Sequence, residues 1–353
     1  MRRLSNALAG WIFAWGLQSC AALPDLSEYA RQTQQLASAI NRTYVQTETD
    51  LRQRYAQINR RHVVDTLRRS WQPTQQALAA MTAYADALAK CTATNNDPKA
   101  IAQLGTQLNR LATTARNFLP LQGRAAGEIA TTAVFLIRQA QLAATRRKLA
   151  YLLQEADTVI QRIAILLKEN LTDLQRIHRL VLEEEYDDLA LKYAKTVRQY
   201  EERLKINEGL MPELLAIAQY KQAKLQSRKA NLLAEINIDR NPIQNTSEEE
   251  LVKKRETDLM QVYHANQEFL KSNETIYKEY LQSVSAINER MSQSDWLYFS
   301  AINALQSWAQ THASLKQLNA IGKAFSLAEF ITAVQNIQQI YAAYERPFNP
   351  PRK

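Results

Sequence analysis

The sequence predicts an all-α protein, an elongated antiparallel helical bundle with long, coiled-coil-like helices. Three observations carry that expectation. The chain holds only 7 glycines and 9 prolines among 353 residues, against about 12% of the two together in an average globular chain. It therefore lacks the turn residues that a fold of many short strands needs. Apolar residues, 46% of the chain, recur at helical spacing over long stretches. The few helix breakers fall together, at Pro73, Asn95–Pro98, Pro120–Gly123, Gly209–Pro212 and Asn241–Pro242, and read as bends between helices.

Taken in order, Pro24-Asp25-Leu26-Ser27 is the entry to a first helix running into the sixties, with Tyr29, Leu36, Ile40, Tyr44, Leu51, Tyr55 and Ile58 on its apolar side. A second helix is expected to start near Trp71-Gln72-Pro73, because proline suits a first turn and breaks an interior. It ends near Cys91. Thr94 to Pro98 is a turn, and a third helix spans about Pro98 to Phe118.

The strongest pattern lies in the centre. Leu149, Leu153, Ala156, Ile160, Ile163, Leu167, Asn170, Leu174, Ile177 and Val181 are spaced alternately four and three apart, the 3.5-residue repeat that winds helices into a left-handed supercoil. Asn170 is the polar member of this seam. It reads either as a register-fixing buried residue or as the wet end of the bundle. Charges interrupt the phase at Glu183-Glu184-Glu185-Tyr186-Asp187-Asp188, and it resumes at Leu189, Tyr193, Val197, Tyr200 and Leu204. Glu208 to Pro212 predicts a break or sharp kink, followed by helix to about Ile238. Ser247 with Glu250 has the spacing of a capping box and opens a helix to about Met291. Ser294-Asp295 then starts an aromatic-rich helix, and a last one runs from Ser326 to Tyr344. The expected organisation is a signal segment at 1–19, one elongated helical domain at 20–346 and a non-helical tail at 347–353.

The first twenty residues suggest an address. Arg2 and Arg3 precede an apolar run from Leu4 to Leu17, too short for a spanning helix of ~20 residues and matched to the core of a secretory signal. Leu17-Gln18-Ser19-Cys20 resembles the lipobox of bacterial lipoproteins. The resemblance covers residues 1–20 alone. It implies lipidation of Cys20, an anchor of several acyl chains that holds stably to a bilayer, and, with Ala21 rather than Asp after the cysteine, an outer-membrane position facing the periplasm. Two other readings stay open: ordinary cleavage around Ser19-Cys20-Ala21 that releases a soluble periplasmic binding protein, and an uncleaved N-terminal helix. With Cys20 modified or removed, Cys91 is the remaining thiol and no intrachain disulfide forms. Cys91 reads as a small, half-buried residue at a helix end.

Little in the rest of the sequence carries chemistry. His62, His178, His264 and His312 form no pair four residues apart, so no zinc or other metal site is expected, and each reads as a surface or interfacial helix residue. The chain has no glycine-rich phosphate loop and no Gly-x-Ser-x-Gly elbow. No catalytic residue, cofactor or small-molecule substrate is expected. The run Glu183–Asp188 points around a helix axis and reads as a solvated face rather than a cation site. Net charge is +9, with basic clusters at Arg52, Arg54, Arg60, Arg61, Arg68 and Arg69, at Arg146-Arg147-Lys148, and at Lys221, Lys224, Arg228 and Lys229. These clusters read first as ordinary solvated helix faces, and in an exported chain they otherwise suit an anionic surface, peptidoglycan or an acidic partner rather than nucleic acid. The expected function is a non-enzymatic envelope scaffold or adaptor. It meets the membrane through Cys20, and meets another envelope protein or itself through its helix faces. The alternative is a membrane-active protein. In shape alone, a helical rod with the short apolar stretch Gly127–Ile137 is similar to ClyA-type α-helical pore-forming toxins.

Overall fold

The structure is a computed structural model that describes residues 25–56, 61–94, 97–116, 149–224, 236, 247–321 and 326–344. Among these residues the regular elements are α-helices: α1 (Ser27–Ala56), α2 (Arg61–Ala93), α3 (Pro98–Arg116), α4 (Leu149–Lys224), α5 (Glu248–Ile321) and α6 (Ala328–Tyr344). The protein is all-α, and its helices pack against one another. They fall into two compact units. One comprises the chain up to Glu183 and again from Glu289; the other is Glu184–Asn288.

The helix starts follow local chemistry. The Asp25 carboxylate accepts the Ser27 N–H at 2.9 Å and the Ser27 hydroxyl at 2.6 Å, which satisfies one of the four donors that every helix start leaves open. Ser247 and Glu250 form the expected capping box: the Glu250 N–H reaches Ser247 Oγ at 3.3 Å, and the Ser247 N–H reaches Glu250 Oε2 at 3.2 Å. The Ala328 N–H bonds Ser326 Oγ at 3.3 Å and opens α6.

In the first unit α1 and α2 run antiparallel. Tyr44 stacks on Trp71 at 5.1 Å, Gln34 meets Asp86, and Leu26 meets Thr92. Within this unit the first part of α4 and the last part of α5 form a second antiparallel pair, with the Gln161 side chain bonded to the Ala309 carbonyl and Gln175 to Asp295. The two pairs share one apolar core, containing Trp71, Trp308, Tyr29, Tyr84 and Tyr298. α6 lies on α1, where Phe330 packs on Tyr29 at 5.8 Å. The expected seam of α4 from Leu149 to Val181 is buried throughout, except that Ile177 is half-buried. Burying a leucine, isoleucine or valine of this row is worth about 1.5–3 kcal/mol, so the row ties the first part of α4 to its neighbours. Asn170 is 0% exposed and donates to Thr74 Oγ1 at 2.9 Å. It is therefore a buried polar contact in the core, which removes the wet-end reading.

The second unit is a helical hairpin. Its pairs run Tyr193–Tyr280, Tyr200–Tyr277, Asn207–Asn266, Glu213–Arg255 and Tyr220–Glu248, so partner numbers fall as α4 rises. Ala216, Ile217, Tyr220, Ile236, Val252 and Leu259 make a separate small core.

Several expected boundaries are corrected. α2 starts at Arg61 with Pro73 in its interior, and α4 runs unbroken through Gly209 and Pro212. Packing outweighs the cost of proline, about 3 kcal/mol in a helix interior, because both helices bury long faces on neighbours. α5 continues past Met291 into the aromatic stretch without a new start at Ser294. In α4 the seam from Tyr193 proceeds through Thr196, Tyr200, Arg203, Asn207, Leu210, Leu214 and Ile217, all buried or half-buried, whereas Leu204 lies on the flank. Residues 1–24 with Cys20, the stretch 127–137 and the tail 347–353 lie outside the described residues.

Candidate functional site

The first unit holds polar chains that sequence spacing does not show. Asp50 of α1, His178 of α4 and Ser294 of α5 meet in one line. His178 Nε2 lies 2.8 Å from Asp50 Oδ2, and Nδ1 lies 2.9 Å from Ser294 Oγ. Exposure of the three residues is only 6%, 2% and 3%. Gln46 donates to Asp50 Oδ1 at 3.1 Å, and Arg290 stands 3.7 Å from the same oxygen. Beside this line the Thr47 hydroxyl bonds the Tyr298 phenol at 2.6 Å. The residue types are those of a hydrolytic triad, but the chemistry differs. The imidazole nitrogens are reversed, with the serine on Nδ1 and the carboxylate on Nε2, and the serine oxygen is closed off from solvent. A nucleophile has to reach its substrate; this one bonds three helices together instead.

A second chain joins α2, α5 and α4. The Tyr84 hydroxyl meets His312 Nε2 at 2.8 Å, and His312 Nδ1 lies 3.6 Å from Asp157. His312 is 0% exposed. Burial, with the negative charge of Asp157 nearby, holds the Tyr84 phenol protonated far above its ordinary range. His178 and His312 are thus interfacial residues carried into the core by their polar partners, while His62 and His264 are on the surface. The sequence hint of both chains was a polar residue on an otherwise apolar helix face; only the tertiary fold supplies its partner.

The basic cluster of α1 and α2 is partly neutralised. Arg52 and Arg68 both reach Glu48 at 2.6 Å, and Arg69 Nε donates to the Asp65 carbonyl at 3.3 Å. Burial works to raise the Glu48 pKa, but hydrogen bonds from Arg68, Tyr44 and Arg52 outweigh it and hold the carboxyl below its ordinary range. Lys221 pairs with Glu256 in the hairpin. Arg60, Arg146, Arg147, Lys148, Arg228 and Lys229, with the side chains of Arg61 and Lys224, lie outside the description. Cys91 is buried completely rather than half-buried, and burial, with Asp97 nearby, pushes its thiol up to about 11.

Among the described residues no group of three or more His, Cys, Asp or Glu is placed to hold a metal ion, and no helix is long and apolar enough to cross a membrane. Glu183 and Arg179 pair at 3.0 Å along the helix; Glu183 to Tyr186 are half-buried and Asp187 and Asp188 exposed, so the run is solvated only in part.

Large apolar side chains stand exposed in both units, Trp296 and Phe299 among them in the first and a larger set on the hairpin. Leu191, Met211, Leu215, Val262 and Leu281 are large apolar residues between 46% and 76% exposed. An open groove of about 630 Å³ runs along one side, lined by Tyr200, Leu204, His264, Gln267, Leu270 and Lys271 among others. Beneath it lies a polar layer: Arg203 donates to Asn266 at 2.8 Å and stacks over Phe269 at 4.4 Å, and Asn266 donates to Asn207 at 3.0 Å. Such a layer fixes the register of the two helices and so fixes which residues stand along the groove. A smaller groove, about 380 Å³, lies between α1 and α6, where Arg42 sits over the Tyr341 ring. Compared with protein-family models, curated proteins and solved structures, the chain matches none.

Proposed function

We propose that this protein is an exported, lipid-anchored scaffold or adaptor of the bacterial envelope, non-enzymatic, held to the membrane through Cys20 and recognising its partner along the faces of the hairpin. One observation supports recognition above all. On one flank of α4 the hairpin exposes Leu204, Met211 and Leu215, beside a polar layer that sets its register. Exposed apolar patches of this kind mark interaction surfaces. The first unit, by contrast, commits its chemistry-bearing side chains to holding its own helices together. The anchor rests on the lipobox-like Leu17-Gln18-Ser19-Cys20, and the outer-membrane position on Ala21.

Metabolic labelling with a palmitate analogue in a Gram-negative host tests the anchor. The full chain takes up label and sediments with outer membranes, and Cys20→Ala takes up none. An unlabelled wild-type chain in the soluble periplasmic fraction overturns the anchor. Release of dye from liposomes by micromolar purified protein would replace the scaffold with a membrane-active protein.

A further inference from the structure

We infer that one flank of the hairpin is a docking surface for a second copy of the same chain, so that two hairpins lie face to face as a four-helix bundle. This rests on the reading of the protein as a scaffold that works through its helix faces, and it names the partner of one face. The inference starts from a row on α4. With Tyr193, Tyr200, Asn207 and Leu214 in the seam against α5, every seventh residue beside them is apolar: Ala190, Val197, Leu204, Met211 and Ala218. Leu204 is 36% and Met211 51% exposed, and Leu215 on the same flank is 58% exposed. A two-stranded coil puts charges at these positions. A stripe widened on one side belongs to a helix that packs on more than one neighbour, yet the described residues of this unit give α4 little beyond α5.

Charge says what covers it. The outer lip of this flank on α4 is acidic, with Glu201 and Glu208; the corresponding lip on α5 carries the exposed His264, Lys271 and Lys278, with Glu268 and Glu274 beside them. Lys278 also pairs with Glu274 on its own helix. The groove lined jointly by Leu204, His264, Gln267 and Lys271 shows that both lips border one face. The stacking of Tyr200 on Tyr277 and the bond from Asn266 to Asn207 set their heights, so that Glu201 stands near the level of Lys271 and Glu208 near that of His264. A two-fold axis parallel to the helices keeps every height and exchanges α4 for α5. It lays Glu201 against the partner's Lys271 and Glu208 against the partner's His264, with Leu204, Met211 and Leu215 enclosed between. The face is thus complementary to itself, the condition for an isologous dimer.

Sedimentation of the full chain in non-ionic detergent at about 20 µM is the test. The wild type is expected at twice the mass of its own processed monomer. Leu204→Glu with Met211→Glu is expected to give monomer at unchanged helicity. Glu201→Lys with Glu208→Lys, which within the chain removes the 3.3 Å bond that Glu201 accepts from Tyr277, is also expected to give monomer at unchanged helicity, and adding His264→Glu and Lys271→Glu to that pair restores the dimer. A monomeric wild type, a dimer that both variants leave intact, or a charge swap that restores nothing overturns the inference. A monomer that still takes up palmitate at Cys20 and still cross-links to another envelope protein leaves the scaffold reading standing and removes only self-pairing.

Discussion

Replacing Asp50 with alanine is the sharpest test of how the first unit is held together. The Asp50 carboxylate is 6% exposed and takes the His178 imidazole at 2.8 Å, the Gln46 amide at 3.1 Å and Arg290 at 3.7 Å. Its removal leaves His178 Nε2 buried without a partner, at a cost of about 1–3 kcal/mol. Breaking a fully buried ion pair costs about 3–5 kcal/mol, but Arg290 is 34% exposed at its side chain and regains water. The expected loss is therefore about 3 kcal/mol. Cys91 is a built-in reporter: it is 0% exposed in the same core, and its burial-raised pKa keeps it protonated and inert until the unit opens. In a chain carrying Cys20→Ser, where Cys91 is the one thiol left, alkylation tracks the open population. Asp50→Ala should then label on the order of 100-fold faster than its parent, since about 1.4 kcal/mol is a factor of ten. Asp295→Ala, which removes a 2.8 Å bond to Gln175 from a side chain 44% exposed, should change the rate by less than about fivefold. Equal rates for Asp50→Ala and its parent would refute the polar line as a structural tie.

Trp71→Ala empties a fully buried site beneath Tyr44 and should cost about 3–5 kcal/mol, read by the same alkylation rate. Gly209→Ala has open space around the new methyl group and should stabilise the hairpin by about 0.5–1 kcal/mol, seen as two- to fivefold slower amide exchange in residues 200–217. Acid should weaken the first unit. Glu48 and Glu28 both titrate below their ordinary values in the folded chain, and Arg31 with Gln32 brings Glu28 to about 2. Their contribution is present above the ordinary carboxylate pKa and is lost as pH falls from about 4.5 towards 2. Melting temperature should drop over that window, and Glu48→Gln should flatten the drop. A melt of Glu48→Gln with the wild-type acid slope would contradict the assignment.

The central seam of α4 was readable because its apolar residues keep one period over many turns, and all but the half-buried Ile177 are buried. The caps at Asp25, Ser247 and Ser326 were readable for the complementary reason: a cap is settled within four residues of chain. Interior prolines misled. Local rules at Pro73 and Pro212 predict an end or a kink, while the long-range burial of α2 and α4 decides otherwise. The hairpin seam was half legible. Tyr193 and Tyr200 fit an apolar rule, but Arg203 and Asn207 occupy seam positions only because Asn266 and Phe269 face them from far along the chain. Of the polar lines through His178 and His312 the sequence shows only a histidine on an apolar helix face, since the partners of each histidine come to it from other helices. The acidic run at Glu183 breaks the phase of the seam, and it coincides with the boundary between the two units.

A scaffold that works through its hairpin must have that flank occupied in the cell. A photo-cross-linking residue placed at Met211 or Leu215 of the full chain, expressed in a Gram-negative host and irradiated in growing cells, tests this directly. The same residue at Lys205 or Gln219, on the outer side of α4, is the control. The account predicts discrete higher-mass adducts from Met211 and Leu215 and none from Lys205 and Gln219. Equal adduct formation at all four positions, or none at any, would contradict it.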